Sequence, residues 1–155
     1  MESKAVVTWT SATALAALAG LHAAWGAGSS WPLRDRAALA EAVAGRKSMP
    51  GPVACFGVAT ALGAAAVLVS GRPRRRPTLV RIGAVGVAGV LGTRGAVGLA
   101  GRTEMLSPGS NAATFQRLDR WVYSPLCLAL AAGSAVSAIS GVSNSSVSKA
   151  SGGAG

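Results

Sequence analysis

The residues most able to do chemistry in this sequence stand inside or next to long apolar stretches. Six of them bring ionisable, aromatic or thiol groups: His22, Trp25, Arg94, Asp119, Tyr123 and Cys127. A charged side chain within an apolar stretch is energetically expensive and generally faces a partner or a water-filled cavity, and Arg94 has such a position. Asp119, shortly before the next apolar stretch, is its natural counter-ion. We therefore predict an Arg94–Asp119 pair, which would either lock two helices together or form part of a ligand site.

His22 is the only histidine in the chain, and Trp25 follows it at a spacing that shares one helical face. A lone histidine could ligate haem or transfer protons. The sequence contains no second histidine, no C-x-x-C-H motif and no cluster of histidine with carboxylates. We therefore expect a structural histidine, no metal site and no cofactor.

The residues around Asp119 allow two starts for the helix that follows. Ser124 and Pro125 fit an N-cap residue and the first helical position. A helix that begins earlier would instead stack Asp119, Tyr123 and Cys127 on one face, four residues apart. The sequence leaves both starts open.

The two cysteines, Cys55 and Cys127, stand near the beginnings of two apolar stretches. If both stretches cross a membrane in the same direction, the two thiols lie at similar depth. A disulfide or a redox pair is then conceivable, although no nucleophile motif surrounds either residue. We expect two free thiols.

Charges are absent from the stretches that must position these side chains. The chain is 50% hydrophobic and 13% charged, yet it carries a formal net charge of +10. With a neutral histidine, residues 5–33, 48–71 and 121–148 have no formal charge, and residues 79–101 have two arginines. A membrane-spanning helix needs roughly 20 predominantly apolar residues. The pattern predicts an all-α, four-helix transmembrane bundle with spans at about 5–25, 53–71, 79–101 and 121–142.

The remaining segments are shorter. Residues 34–47, which are rich in alanine, predict a short surface helix in the first loop, and Pro50 and Pro52 would end it before the second span. Residues 143–155 have the Ser/Gly composition of a disordered tail. A cleaved signal peptide is the alternative interpretation of residues 1–28.

Arginines after the second span indicate the orientation. A compact group comprises Arg72, Arg74, Arg75 and Arg76. Short loops rich in Lys and Arg face the cytoplasm. This rule would place both termini on the cytoplasmic side of the cell membrane, and residues 26–52 and 102–120 on the outer side. Simple counting gives equal numbers of basic residues on both sides, so the prediction depends on the compact group. These arginines either only orient the chain or also bind anionic lipid headgroups.

Glycine recurs at every third position of the third apolar stretch. The series comprises Gly83, Gly86, Gly89, Gly92, Gly95, Gly98 and Gly101. A three-residue step turns about 300° on an α-helix, so the series winds around the helix. It indicates either a central helix in close contact with more than one partner or only a composition biased towards Ala and Gly.

Three short motifs lie between residues 20 and 130. They are LHAAWGAGSSW at 21–31, RGAVG at 94–98, and FQRLD at 115–119 followed by YSPLC at 123–127. Together they resemble the motifs of a bacterial membrane family, domain of unknown function 3995. In that family an acidic residue often follows the second glycine of the RGAVG motif, where this chain has Leu99. The resemblance implies four membrane helices and no assigned activity.

In the predicted topology the six chemistry-bearing residues gather towards the outer face. Polar groups that converge in an apolar bundle are typical of a pocket. We expect a small integral membrane protein, without enzymatic activity, that binds a lipid, a partner helix or a small ligand near the outer leaflet. The alternatives are a membrane enzyme or redox component for a lipid-soluble substrate, and a small transporter. A membrane protein partner or a homo-oligomer is compatible with this prediction of an integral membrane protein. Nucleic acid is not, because the basic residues are divided among loops without interleaved aromatic residues.

Overall fold

The computed structural model describes residues 2–71 and 77–151, and all regular structure within them is helical. The helices are α1 (Glu2–Gly26), α2 (Arg36–Ala44), α3 (Pro52–Val69), α4 (Pro77–Leu99), α5 (Ala113–Leu118) and α6 (Ser124–Ser151). A 3-10 turn at Thr103–Met105 precedes α5, and a π turn at Asp119–Tyr123 joins α5 to α6. The predicted group Arg72, Arg74, Arg75 and Arg76 lies outside the described residues.

Four helices are long and apolar enough to cross a membrane: Glu2–Gly26, Pro52–Val69, Pro77–Leu99 and Ala113–Ile139. Large apolar side chains, among them Val53, Ile82 and Val90, lie on their outer surfaces. Exposed apolar surface of this kind would promote aggregation in water, whereas lipid chains can cover it in a bilayer. The length and composition of these helices indicate a multi-pass membrane protein, and the predicted all-α class with four long apolar helices is confirmed.

The long helices pack as two close pairs. The most extensive contacts join α1 to α3 and α4 to α6. Helices α1, α3 and α6 share an apolar core that comprises Ala12, Leu15, Ala65, Ala66, Val69 and Leu130. The Ser137 hydroxyl donates a 2.6 Å hydrogen bond to the Val69 carbonyl, which ties α6 to the end of α3.

The short helix predicted in the first loop is present as α2. Asp35 is its N-cap, since its Oδ1 accepts a 2.7 Å hydrogen bond from the Ala38 N–H. Gly45 ends the helix in the left-handed region, with a φ of 67° that glycine adopts without strain. Leu39 and Ala40 are buried, so one face of α2 packs on the protein.

The segment after α2 meets the α4–α5 connection at one end of the molecule. The Ala112 N–H donates to the Gly45 carbonyl at 3.3 Å, and Arg46 Nη2 donates to the Pro108 carbonyl at 2.5 Å. Phe115 packs on Gly45 so closely that an added Cβ would lie 2.8 Å from its ring. We call this end, formed by residues 27–51 and 100–112, the loop end.

Helix α5, the π turn and α6 follow one another without a gap, so the last membrane helix begins at Ala113 and not at Ser124. The interpretation of Ser124 as an N-cap is therefore wrong. The Ser124 N–H donates to the Asp119 carbonyl five residues earlier, which defines the π turn. Proline lacks the N–H of a regular helix and its ring clashes with a carbonyl of the preceding turn. The wider π turn accommodates Pro125, and the chain remains helical to Ser151, past position 143 where the sequence predicts a disordered tail.

In α4, some glycines of the series lie in close contact with a neighbouring helix, and others have no neighbour that requires a glycine. An added Cβ at Gly83 would lie 2.6 Å from Leu68 of α3, and one at Gly95 would lie 2.7 Å from Leu128 of α6. Among the described residues, no atom lies within 4 Å of an added Cβ at Gly86 or Gly89. Close packing therefore requires only part of the series.

Candidate functional site

The six predicted residues separate into two groups near the loop end. Arg94 and Asp119 form an ion pair between α4 and the π turn, with Tyr123 and Cys127 following on the same continuous helix. His22 and Trp25 instead line a cavity bordered by α1, α2 and α3. The sequence predicted one shared site, and the structure contains a charged contact and an apolar cavity.

The predicted contact between Arg94 and Asp119 is present and uses both carboxylate oxygens. Arg94 Nη2 lies 2.5 Å from Oδ1, and Nη1 lies 3.4 Å from Oδ2. Two such bonds from one guanidinium fix the relative orientation of both groups. Asp119 is 1% exposed, while the Arg94 side chain is 29% exposed.

Thr103 completes the surroundings of the buried carboxylate. Its Oγ1 donates a hydrogen bond to Asp119 Oδ2. A buried charge is tolerated when it is paired and its remaining oxygens are hydrogen-bonded, and Asp119 satisfies both conditions. Sequence reasoning missed Thr103, because no helical spacing connects it to either member of the pair.

Gly98 creates the space in which the pair forms. A Cβ added there would lie 2.7 Å from Arg94 Nη1 and 2.9 Å from Asp119 Oδ2, and would clash with Ser124 Oγ. The Ser124 hydroxyl is buried against this glycine, without a hydrogen-bond partner in the described part of the chain. The spacing of Arg94 and Gly98 thus places the charge and the close helix contact on adjacent turns.

Tyr123 connects the last helix to α2. Its hydroxyl donates a 3.1 Å hydrogen bond to the Ala42 carbonyl, and its ring centroid lies 6.2 Å from that of Phe115. Cys127 is partly exposed, Cys55 is buried, and both are free thiols. Of these two cysteines, Cys55 lines the cavity.

The cavity has a volume of about 170 Å³ and is partly open. The residues that line it are mainly apolar: His22, Trp25, Val43, Ala44, Met49, Pro50, Ala54, Cys55 and Val58. Trp25 is 6% exposed and belongs to a small core with Leu39 and Cys55. Two close helices, the end of α2 and the segment before α3 therefore surround one apolar space.

The hydrogen bonds of His22 and Trp25 fix the polar groups around this space. His22 Nδ1 lies 2.8 Å from the Leu18 carbonyl. A carbonyl only accepts, so Nδ1 carries a proton, and in the uncharged form of the ring Nε2 is an acceptor. Trp25 Nε1 donates to the Trp31 carbonyl at 2.7 Å. The rings of His22 and Trp25 are 4.9 Å apart and tilted by 58°, so each holds the other in place.

Cys55 has a comparable internal contact, because its Sγ lies 3.6 Å from the Pro50 carbonyl. Gly26 lets the end of α1 approach this position, where an added Cβ would lie 3.2 Å from the Cys55 Cβ. Within the described residues, no group of three or more His, Cys, Asp or Glu side chains could hold a metal ion.

Comparison with known proteins gives a family and no assigned activity. A family model described as "Protein of unknown function (DUF3995)" matches residues 15–134, which include both groups of site residues. No curated protein and no solved structure matches the chain. The matched region covers most of the sequence and at least part of each of the four apolar helices, and the chain therefore belongs to the DUF3995 family.

Proposed function

We propose that this multi-pass membrane protein binds a small, largely apolar molecule in the cavity at its loop end. The cavity carries the proposal, because it joins an apolar lining to a hydrogen-bonding ring, His22. Ligand sites commonly combine such a lining with a few polar groups that orient the ligand. Among the ligands suggested by the sequence, a small molecule fits this space better than a partner helix does.

The volume limits the size of the ligand. An apolar protein cavity of about 150 Å³ accommodates benzene. The volume here is about 170 Å³, which is suitable for one six-membered ring with small substituents. Because the cavity is partly open, a longer chain attached to such a ring would extend out of it.

The wall formed by α2 is held in position from outside the cavity. Tyr123 donates to the Ala42 carbonyl, next to Val43 and Ala44 of the lining. Thr114 Oγ1 donates to Glu41 Oε1 at 3.2 Å on the same helix. Because this wall is already fixed, less conformational entropy of the protein is lost when a ligand binds.

In this proposal the Arg94–Asp119 pair is a structural lock and does not contact the ligand. Its carboxylate is buried and receives hydrogen bonds from Arg94 and Thr103. The lock joins α4 to the last helix, whereas the cavity lies between α1, α2 and α3. A redox role would bring Tyr123 and the cysteines to one substrate, but Tyr123 and Cys127 do not line the cavity.

The cavity is tested with fluorobenzene as the probe and the full chain in lipid nanodiscs. We expect ¹⁹F NMR broadening beyond that of empty nanodiscs, because the ring exchanges between lipid and cavity. Ala54→Leu adds volume to a lining residue and is expected to reduce the broadening severalfold. Ala61→Leu is the matched control, because this alanine lies on the same helix, is exposed and does not line the cavity. Equal broadening in all three proteins would contradict the proposal.

We further propose that the loop end faces outwards and that both termini are cytoplasmic in the cell membrane. Helix α3 ends and α4 begins at the opposite end of these helices from residues 27–51, and the sequence between α3 and α4 is rich in arginine. Short basic loops face the cytoplasm. This orientation places the cavity at the outer leaflet. The same arginines would then contact anionic lipids of the inner leaflet.

Labelling of intact cells tests the orientation. In a Cys55→Ala, Cys127→Ala background, a membrane-impermeant maleimide should label Ser48→Cys and Asn111→Cys, which are exposed at the loop end. Ser3→Cys should react only after the cells are permeabilised. If Ser3→Cys alone were labelled in intact cells, the orientation would be the opposite of the proposed one.

A further inference from the structure

We propose that the cavity selects a neutral molecule with a hydroxyl group, an alcohol or a phenol, which donates a hydrogen bond to His22 Nε2. This inference rests on the proposed function and concerns the chemistry of the ligand. It follows from the side-chain donors and acceptors of the residues that line the cavity.

Every side-chain donor of the lining is already used within the protein. His22 Nδ1 donates to the Leu18 carbonyl, and Trp25 Nε1 donates to the Trp31 carbonyl. The weak thiol donor of Cys55 lies against the Pro50 carbonyl. A ligand carbonyl or ether oxygen would therefore meet no free side-chain donor in the cavity.

When His22 is neutral, the residues that line the cavity have one strong side-chain acceptor, His22 Nε2, for which the described part of the chain supplies no hydrogen bond. The tautomer is fixed by the backbone, because the Leu18 carbonyl requires the proton on Nδ1. A ligand hydroxyl can donate to Nε2, whereas a ketone of the same shape cannot. The other lining residues with polar side-chain atoms, Trp25 and Cys55, offer no comparable acceptor.

The ligand is neutral, because no described residue that lines the cavity carries a formal charge when His22 is neutral. An ionised group would lose its hydration without gaining a partner of opposite charge. The rings of His22 and Trp25 supply flat apolar surface beside the acceptor. A six-membered ring with one hydroxyl matches the volume, the surface and the hydrogen bond together.

Cyclohexanol and cyclohexanone form a suitable pair of probes, since they have nearly the same size and differ in donor capacity. Saturation-transfer NMR with the full chain in nanodiscs, corrected with Ala54→Leu for uptake by lipid, gives both affinities. We expect the alcohol to bind about fivefold more tightly, which corresponds to one neutral hydrogen bond. In His22→Leu this preference should disappear, while fluorobenzene still binds.

His22→Gln provides the opposite control, because its amide can donate as well as accept. This variant should gain affinity for cyclohexanone and lose most of the preference for the alcohol. Equal or tighter binding of cyclohexanone to the wild type would overturn the inference, as would binding of fluorobenzene without binding of either probe. If fluorobenzene itself does not bind in the cavity, the proposed function fails. The wild-type comparison alone decides the inference if a variant does not fold.

Discussion

The two helix pairs of this protein differ near the loop end, where one contains a closely packed ion pair and the other borders an apolar cavity. Between α4 and the last helix, glycines bring the backbones together and a charged pair is enclosed by hydrogen bonds. Between α1, α2 and α3, the rings of His22 and Trp25 border a partly open apolar cavity, although α1 and α3 are in close contact nearby at Gly26 and Cys55. The difference shows that a charged residue in an apolar span need not border the cavity of the protein. Here the ion pair joins α4 to the last helix, and His22 borders the cavity.

The Arg94–Asp119 lock should produce the largest effect when one partner is removed. Arg94→Leu leaves the buried Asp119 carboxylate without its counter-ion, and a buried charge that loses its partner typically costs about 3–5 kcal/mol. The free energy of unfolding, measured by denaturant titration in mild detergent, should fall by an amount in this range.

The double variant Arg94→Leu with Asp119→Leu sharpens this prediction. Apolar replacement of a whole buried pair is often neutral or stabilising, so the double variant should recover much of the lost free energy. Fluorobenzene binding should be retained in the double variant, because the pair lies outside the cavity. Loss of binding in a stable double variant would mean that the two regions are one site after all.

The glycine contact should give an intermediate effect. Gly98→Ala forces a methyl group against Ser124, Arg94 and Asp119, and overpacking of this kind typically costs about 1–3 kcal/mol. Gly86→Ala is the matched control on the same helix, because its added Cβ would meet open space. This control should be neutral or stabilise the helix by up to about 1 kcal/mol. Similar unfolding free energies for the two variants would show that α4 and the last helix do not require close approach at Gly98.

The link between the two regions should give the smallest effect. Tyr123→Phe keeps the ring beside Phe115 and removes the hydrogen bond to the Ala42 carbonyl, which contributes about 1 kcal/mol. Fluorobenzene binding should weaken slightly, since Ala42 adjoins the cavity wall. Hydrogen exchange at α2 measures the loosening directly, and unchanged protection there would separate Tyr123 from the cavity wall.

Much of the fold could be predicted from the distribution of charge. Three long uncharged gaps and one stretch with two arginines define four apolar helices, because hydrocarbon excludes charge over roughly 20 residues. Antiparallel connections then place residues 27–51 and 100–112 at one end without further information. The start of the last helix could not be predicted, since Ser124 and Pro125 satisfy the rules for a helix N-terminus as well as those for a π turn.

The candidate site could be predicted only in part. Arg94 and Asp119 attract attention as charges of opposite sign near apolar stretches, and the structure pairs them. Thr103 carries no such signal, because its role depends on where the chain returns after α4. The sequence also does not show that His22 and Arg94 belong to different sites, because both were predicted to lie towards the same face of the membrane.

The sequence by itself determined the helices, their number of passes and the partner of the charged residue in α4, because burial of charge in hydrocarbon allows few alternatives. Only the tertiary structure decided which glycines touch a neighbour and which residues border the cavity. Those outcomes depend on side-chain volume where helices meet, since Gly98 permits close contact with the last helix and Trp25 borders the cavity. Local spacing along one helix does not contain that information, since the facing residue belongs to another part of the chain.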